Sequence, residues 1–166
     1  MFRKILYTTN DFSLTVLRLV LGVVFFAHGA QKMLGWFGGY GFSGSMGFFT
    51  HGMGIPAPLA FLAIAAEFFG GLGLLAGFLG RIAAFGILSN MVVAILMVHW
   101  QNGFFMNWSG SQKGEGFEYH LLAVALGVAI LIKGSGAFSI DRVLTESRAP
   151  EAVDSQALKG HAMHSS

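Results

Sequence analysis

The residues of this chain that could take part in chemistry are a few polar side chains inside long apolar stretches. His28, Gln31 and Lys32 lie in the stretch FFAHGAQKMLGWFGG, three and four residues apart, and therefore share one face of a helix. Glu67 and His99 lie in two further apolar stretches. An ionisable group surrounded by hydrocarbon is costly and usually faces a protein interior, so each is a candidate for function.

The last apolar stretch offers two further candidates, Glu118 and His120. Two residues that are two positions apart lie about 160° from each other around a helix, so only one of the pair can point inward. We expect Glu118 to face the interior, because Glu115 lies one turn before it and Leu122 one turn after it.

The candidates fall at a similar depth. At a rise of about 1.5 Å per residue, His28, Glu67, His99 and Glu118 lie in the outer half of a bilayer, one on each apolar segment. Glu67 is too short to reach the headgroups, so it needs a partner or must be neutral. His28 is the partner that this layering predicts.

Three chemistries fit such a cluster, and the spacing does not decide between them. His28 and His99 on facing helices would ligate a haem, or His28, Glu67 and His99 would bind a metal ion. Alternatively, the cluster would hydrogen-bond and protonate a quinone, with His28, Glu67, His99 and Gln31 as cofactor-binding residues. Candidate catalytic residues are His28, Glu67 and Glu118.

Other polar residues are predicted to have structural roles, namely Arg18, Lys32, Asn90 and Arg81. Arg18 either snorkels to the inner headgroups or faces the interior, and Lys32 is expected to snorkel to the outer headgroups.

The composition indicates a membrane protein. Of 166 residues, 54% are hydrophobic and only 11% are charged, whereas a soluble domain carries about 25% charged residues. The basic residues form no run, which argues against a nucleic-acid partner. The absence of cysteine excludes disulfides, thiolate catalysis and cysteine-ligated clusters.

The apolar segments predict an all-α integral membrane protein, a four-helix bundle with a long outer loop between its first two helices. The four spans are about Ser13 to Leu34, Ala57 to Leu79, Ile82 to Trp100 and Glu118 to Ile132. Arg18 interrupts the first segment and three more follow, so we expect a span and not a cleaved signal peptide. Residues 1–144 form this membrane domain, and residues 145–166 are expected to be a disordered polar tail.

The distribution of lysine and arginine predicts that both termini are cytoplasmic. On that orientation only Lys32 and Lys113 lie outside. The inner side holds the remaining basic residues, Arg3, Lys4, Arg81, Lys133, Arg142, Arg148 and Lys159.

Several stretches together resemble the DoxX family of small bacterial and archaeal membrane proteins. They are RLVLGVVFFAHGAQKMLGWFGG, GIPAPLAFLAIAAEFFGGLGLLAGFLGRIAA, NMVVAILMVHWQNGFF and a glutamate-led last span ending in GSGAFSIDRVL, within about residues 12–144. The polar positions that match the family are Arg18, His28, Lys32, Glu67, Arg81, His99, Glu118 and Asp141. The resemblance implies a protein of the bacterial or archaeal inner membrane, similar to the quinone-linked subunit of thiosulfate oxidation.

Three functions remain open at this point. The first is a redox-linked membrane component or oxidoreductase subunit that binds quinone, haem or a metal near His28 and Glu67. The second is an accessory subunit that docks a membrane or peripheral protein, and the third is a carrier of a small molecule or proton that uses Glu67. The lipid bilayer is the expected environment, with homo-oligomers an open alternative.

Overall fold

The computed structural model describes residues 5–146, and in this part of the chain all regular structure is helical, with no β-strand. The all-α prediction is therefore confirmed. Residues 1–4 lie outside the described part, as do residues 147–166 of the predicted tail. The α-helices are α1 (Phe12–Leu34), α2 (Gly41–Gly47), α3 (Ala57–Ala76), α4 (Gly80–Ala94), α5 (Glu118–Lys133) and α6 (Ile140–Glu146).

Three helices are long and apolar enough to cross a membrane. They are α1, α3 and the continuous helix Gly80–Asn102, of which α4 is the first part. The fourth predicted span, α5, has 16 residues. It is therefore about 24 Å long, whereas a bilayer core of about 30 Å requires roughly 20 residues. By length and composition, the described chain supports three of the four predicted spans.

The ends of these helices follow from local chemistry. The Asp11 side chain accepts a hydrogen bond from the Ser13 backbone N–H at 2.8 Å and caps the start of α1. Pro58 lies in the first turn of α3, where its missing N–H is not needed. Gly35 and Gly77 end α1 and α3 with φ of 75° and 67°, a left-handed conformation that glycine adopts without strain.

The helix that begins with α4 changes its winding near its end. Residues Ile95–His99 form a π-helical turn, and Trp100–Asn102 form a 3₁₀ turn. A π-turn widens the helix and rotates the residues after it relative to a regular α-helix. The direction of the His99 side chain therefore cannot be extrapolated from a regular period of 3.6 residues.

The four long helices pack in a closed cycle, α1 on α3, α3 on α4, α4 on α5 and α5 on α1. The connection from α3 to α4 is only residues 77–79, which makes these two helices an antiparallel hairpin. Residues 35–56 and 103–117 connect helices at one end, which we call the loop end. The other end holds residues 5–11 and 134–146 and is called the terminal end. Between them lies an apolar core of Leu21, Phe25, Leu74, Ala84, Ile87, Met91, Ala123 and Ile130.

Arg18 is buried at the terminal end and does not snorkel. Its side chain is 1% exposed and donates only to backbone carbonyl groups. One nitrogen bonds Leu74 O and Leu75 O at the end of α3, and the others bond Ser135 O at 2.9 Å and Phe138 O at 3.3 Å. The guanidinium thus ties α1 to the carboxyl end of α3, where a positive charge is favourable.

Asp141 is the acidic counterpart of Arg18 at the same end. Its carboxylate accepts from the backbone N–H groups of Leu79 and Gly80, at 2.8 and 3.0 Å, and from the Ser135 hydroxyl at 2.6 Å. It therefore caps the start of α4, where the helix dipole favours a negative charge. Arg81 links the start of α4 to the end of α5 by donating a hydrogen bond to Leu131 O at 2.6 Å.

Candidate functional site

An ion pair between α1 and α3 is the central polar feature of the loop end. The Lys32 Nζ atom lies 2.5 Å from Glu67 Oε2, with the two side chains 26% and 10% exposed. The prediction that Lys32 snorkels away from the protein is therefore wrong. The predicted His28 partner of Glu67 is wrong as well, because Lys32 occupies that role from one turn further along the same helix.

Two glycines allow α1 and α3 to come close enough for this pair to form. A Cβ atom on Gly29 would lie within contact distance of the Phe68 backbone, and a Cβ atom on Gly71 would do the same with the backbone of Phe26. Small residues let helix backbones approach each other in an apolar environment. Lys32 lies three residues after Gly29, and Glu67 lies beside the contact, so the close approach brings their side chains together.

His28 and Gln31 lie at the edge of this arrangement. His28 is exposed at the surface of the isolated chain. Its ring centroid is 6.4 Å from that of Phe25. Gln31 donates through Nε2 to Phe37 O at 3.3 Å and so holds the loop that follows α1.

His99 and His120 meet in the interior at the loop end. Their ring centroids are 4.0 Å apart, and His120 is 6% exposed. His99 Nδ1 lies 2.8 Å from the backbone oxygen of Glu115, which fixes the orientation of its ring. The sequence-based choice of Glu118 as the inward residue of α5 is therefore wrong, and His120 takes that position.

Glu118 instead organises the loop before α5. Its carboxylate accepts from the Met106 backbone N–H at 2.9 Å and from Trp108 Nε1 at 3.3 Å. Glu115 acts in the same way and accepts from the Asn107 backbone N–H at 2.6 Å. A carboxylate at the start of a helix is also favoured by the helix dipole, which explains why Glu118 turns toward the loop.

Two buried polar atoms at this end have no hydrogen-bond partner in the described chain, Tyr119 Oη and His120 Nδ1. Buried polar groups are nearly always hydrogen-bonded, so such atoms point to a bound molecule or to internal water. Sequence reasoning missed Tyr119 altogether. A tyrosine next to a histidine in an apolar helix was the available signal, although its direction depends on how α5 begins.

Electrostatic interactions connect these residues. Tyr119 interacts with the charge on Glu67, and His28 interacts with the charges on Lys32 and Glu67. His120 in turn is within range of His28 and His99. We call the cluster the polar site and define it as Lys32, Glu67, Tyr119, His120 and His99, with His28 at its edge.

The polar site lacks the arrangement of a metal centre. Among residues 5–146, no group of three histidine, aspartate or glutamate side chains is placed to hold a metal ion. His28, Glu67 and His99, the predicted metal candidates, are accordingly not assembled as one ligand set. Asn90, predicted to be structural, donates to Ala63 O at 2.8 Å and links α4 to α3.

The fold and the site define a class: a small helical membrane protein with a polar site near one end of its apolar helices. The model of the family described as DoxX matches residues 13–100, which is more than half of the chain. The chain belongs to the DoxX family.

Two relatives agree with this assignment. The inner membrane protein YqjF of Escherichia coli (strain K12) is 27% identical over 137 residues, which cover 82% of this chain and 95% of that protein. The putative oxidoreductase CatD of Bacillus subtilis (strain 168) is 29% identical over 115 residues, which cover 69% of this chain and 75% of that protein. No solved structure matches the chain significantly.

Proposed function

We propose that this protein is a redox-linked component of a bacterial or archaeal inner membrane that holds a quinone-type cofactor at the polar site, as a subunit of an oxidoreductase complex. The observation that carries this proposal is the Lys32–Glu67 ion pair, together with two buried polar atoms at the same end that have no partner among residues 5–146. A relative named as a putative oxidoreductase supports the same direction.

The residues at the polar site fit a quinone-type molecule. Such a molecule has an apolar ring with oxygen atoms, and the site offers buried hydrogen-bonding groups on Tyr119 and His120. When bound, a quinone would supply redox chemistry that the side chains of a chain without cysteine lack. The side chains would bind the ring, orient it and exchange protons with it.

The proposal includes a particular arrangement in the membrane. All four long helices span the bilayer as one bundle, with the terminal end in the cytoplasm and both termini inside. Arg81, Lys133 and Arg142 then lie inside, and Lys113 lies outside, as the distribution of positive charge in membrane proteins favours. The short α5 crosses because it packs against α4 and α1 and local thinning of the bilayer compensates for its length.

The ion pair argues against the carrier alternative. A carrier would use Glu67 as a lone membrane carboxylate that gains and loses a proton, but Lys32 holds this carboxylate at 2.5 Å. The accessory role, in which the protein only docks a membrane or peripheral partner or a second copy of itself, differs from our proposal in one measurable respect. It requires no small molecule at the polar site.

The test is a direct search for the cofactor. The protein is purified in mild detergent, its organic extract is analysed for quinone by mass spectrometry, and its absorption spectrum and metal content are recorded. We expect close to one quinone per chain, no haem absorption, and loss of the quinone in the neutral double variant K32Q/E67Q. His51→Gln, at an exposed position in the π-helical turn Phe48–Gly52, is the matched control and should retain the quinone.

Two results would contradict the proposal. If the extract holds no quinone, and neither haem nor metal is found, the protein has no redox cofactor. If a partner enzyme then co-purifies with wild type, the accessory role replaces the redox role.

A further inference from the structure

Tyr119 and His120, which are neighbours in the sequence at the start of α5, each carry a buried hydrogen-bonding atom. The phenol oxygen of Tyr119 and the Nδ1 atom of His120 are both inaccessible to solvent and unpartnered in the described chain. Leaving such a group without a partner costs about 1–3 kcal/mol, so a fold does not retain two neighbouring ones without use.

These two groups differ from the rest of the polar site in what they can do. Lys32 can only donate hydrogen bonds, and the Glu67 carboxylate can only accept them, and the two already bond each other. A phenol hydroxyl both donates and accepts, and a neutral imidazole does either at Nδ1, depending on its tautomer. Tyr119 and His120 can therefore bond an oxygen that accepts in one state of a ligand and donates in another.

A molecule that alternates between carbonyl and hydroxyl oxygens has this property. The oxidised form of a quinone presents carbonyl oxygens, which accept, and the reduced form presents hydroxyl groups, which donate as well. A group that only accepts would bind the hydroxyl form and reject the carbonyl form, and a group that only donates would leave the hydroxyl hydrogen of the reduced form unpaired. Groups that can exchange roles bind both forms.

The surroundings hold the two groups in place. His120 packs against His99 at 4.0 Å between ring centroids, and His99 is fixed by the backbone oxygen of Glu115. Tyr119 packs edge-on against His120, with ring centroids 5.4 Å apart. On the side of α1, His28 is exposed at the surface of the isolated chain.

We propose that Tyr119 Oη and His120 Nδ1 are the hydrogen-bond contacts for the ring oxygens of the ligand, and that these two atoms bind both its carbonyl form and its hydroxyl form. This inference rests on the proposed function and assigns two binding residues that the sequence did not identify as such.

The experiment uses the full-length protein in detergent and a benzoquinone with a decyl tail as the probe. Binding is followed by quenching of the fluorescence of Trp36 and Trp100, which lie in or beside the loop-end connections. We expect Tyr119→Phe, which removes only the oxygen, to weaken binding of both the oxidised and the reduced probe about 3- to 10-fold. Tyr7→Phe, on an exposed tyrosine at the terminal end, is the matched control and should bind like wild type.

The histidine is tested with two amides of different length. In Asn, the side-chain amide lies near the position of Nδ1, whereas the longer Gln side chain places its amide further out. We therefore expect His120→Asn to retain most of the affinity and His120→Gln to weaken binding about 3- to 10-fold. Equal affinities for the two variants would contradict the role of Nδ1.

An infrared measurement distinguishes the loss of a hydrogen bond to the probe from poor folding of a variant. With a probe carrying ¹³C at its carbonyl carbons, wild type should show a carbonyl band at lower frequency than free probe, and Y119F should return part of that shift. If wild type binds the probe but Y119F matches it in affinity and band position, these atoms do not contact the ligand. This inference is then wrong, while the proposed function stands. If wild type does not bind the probe at all, both fail.

Discussion

At the residue scale, the buried charges in the described part of this protein are satisfied in pairs or by backbone groups. Glu67 is held by Lys32, Arg18 by carbonyl oxygens, and Asp141 by backbone N–H groups. A charge without such partners is costly in an apolar environment. Removal of one partner should therefore lower the free energy of unfolding more than removal of both.

The Lys32–Glu67 pair provides the first test. Lys32→Met leaves a carboxylate that is 10% exposed and has lost its partner, so we expect a loss of about 1–3 kcal/mol in the free energy of unfolding. Glu67→Gln should cost less, because the long Lys32 side chain can extend to the headgroups. The measurement is reversible unfolding in detergent, followed by helical circular dichroism.

The double variant K32M/E67M is the control for this pair. Because it contains neither charge, it should regain more than half of the stability lost in K32M. If the two single changes simply add, the ion pair does not contribute as described.

The Asp141 cap gives a second prediction at this scale. Asp141→Asn removes the charge and one of the two acceptor oxygens that bond Leu79 N and Gly80 N. We expect a loss of about 1–3 kcal/mol in the free energy of unfolding. Glu146→Gln, at an exposed ion pair with Arg142, should change stability by less than about 0.5 kcal/mol in the same assay.

At the element scale, the contact of α1 with α3 determines where the polar site forms. The two backbones approach most closely at Gly29 and Gly71, where no side chain separates them. The rest of the cycle follows, since α3 continues into α4 through a three-residue turn and α5 packs on α4 and α1.

Alanine at either close approach should separate these helices. A Cβ atom on Gly29 or Gly71 would meet the backbone of the opposite helix, which cannot move aside as a flexible side chain would. We expect Gly29→Ala and Gly71→Ala each to cost about 1–3 kcal/mol in the free energy of unfolding. Both should also weaken binding of the quinone probe, because Lys32 and Glu67 are drawn apart.

Gly47→Ala is the matched control for the helix contact. Gly47 is helical, with φ of −59°, and a Cβ atom there would meet nothing within 4 Å. Its replacement should leave stability unchanged or slightly raised, because alanine favours helix more than glycine does. Equal losses at all three glycines would mean that flexibility, and not close approach, explains the result.

At the scale of the whole molecule, the surface between the two ends is apolar and suits lipid. Large hydrophobic side chains such as Val20, Val23, Phe69, Phe85 and Leu122 are 52%, 58%, 59%, 62% and 68% exposed. An apolar belt of this kind is costly in water and favourable in a bilayer. Among residues 5–146, the charged side chains lie at the two ends of the helices or are turned inward.

The proposed orientation can be tested with single cysteines, because the chain contains none. Ser111→Cys, in the exposed loop before α5, should react in intact cells with a maleimide that cannot cross the membrane. Glu146→Cys, at the terminal end, should react only after the membrane is permeabilised. The reverse pattern would place the termini outside, and labelling of both without permeabilisation would mean that α5 does not cross.

Several features of this protein follow from the sequence by itself. Asp11 and Pro58 set where α1 and α3 begin, because capping and backbone preferences act over a few residues. The apolar composition requires a membrane, because the chain has too few charges to cover a surface in water. Glu67 was identified as a residue that needs a partner, since a carboxylate in hydrocarbon does.

The tertiary structure decided which residues meet. Lys32, and not His28, reaches Glu67, because the glycine contact sets the register of α1 on α3. His120, and not Glu118, faces inward, because Glu118 finds backbone partners in the loop before α5. These outcomes depend on the register between helices and on loop geometry, which the periodicity of a single helix does not contain.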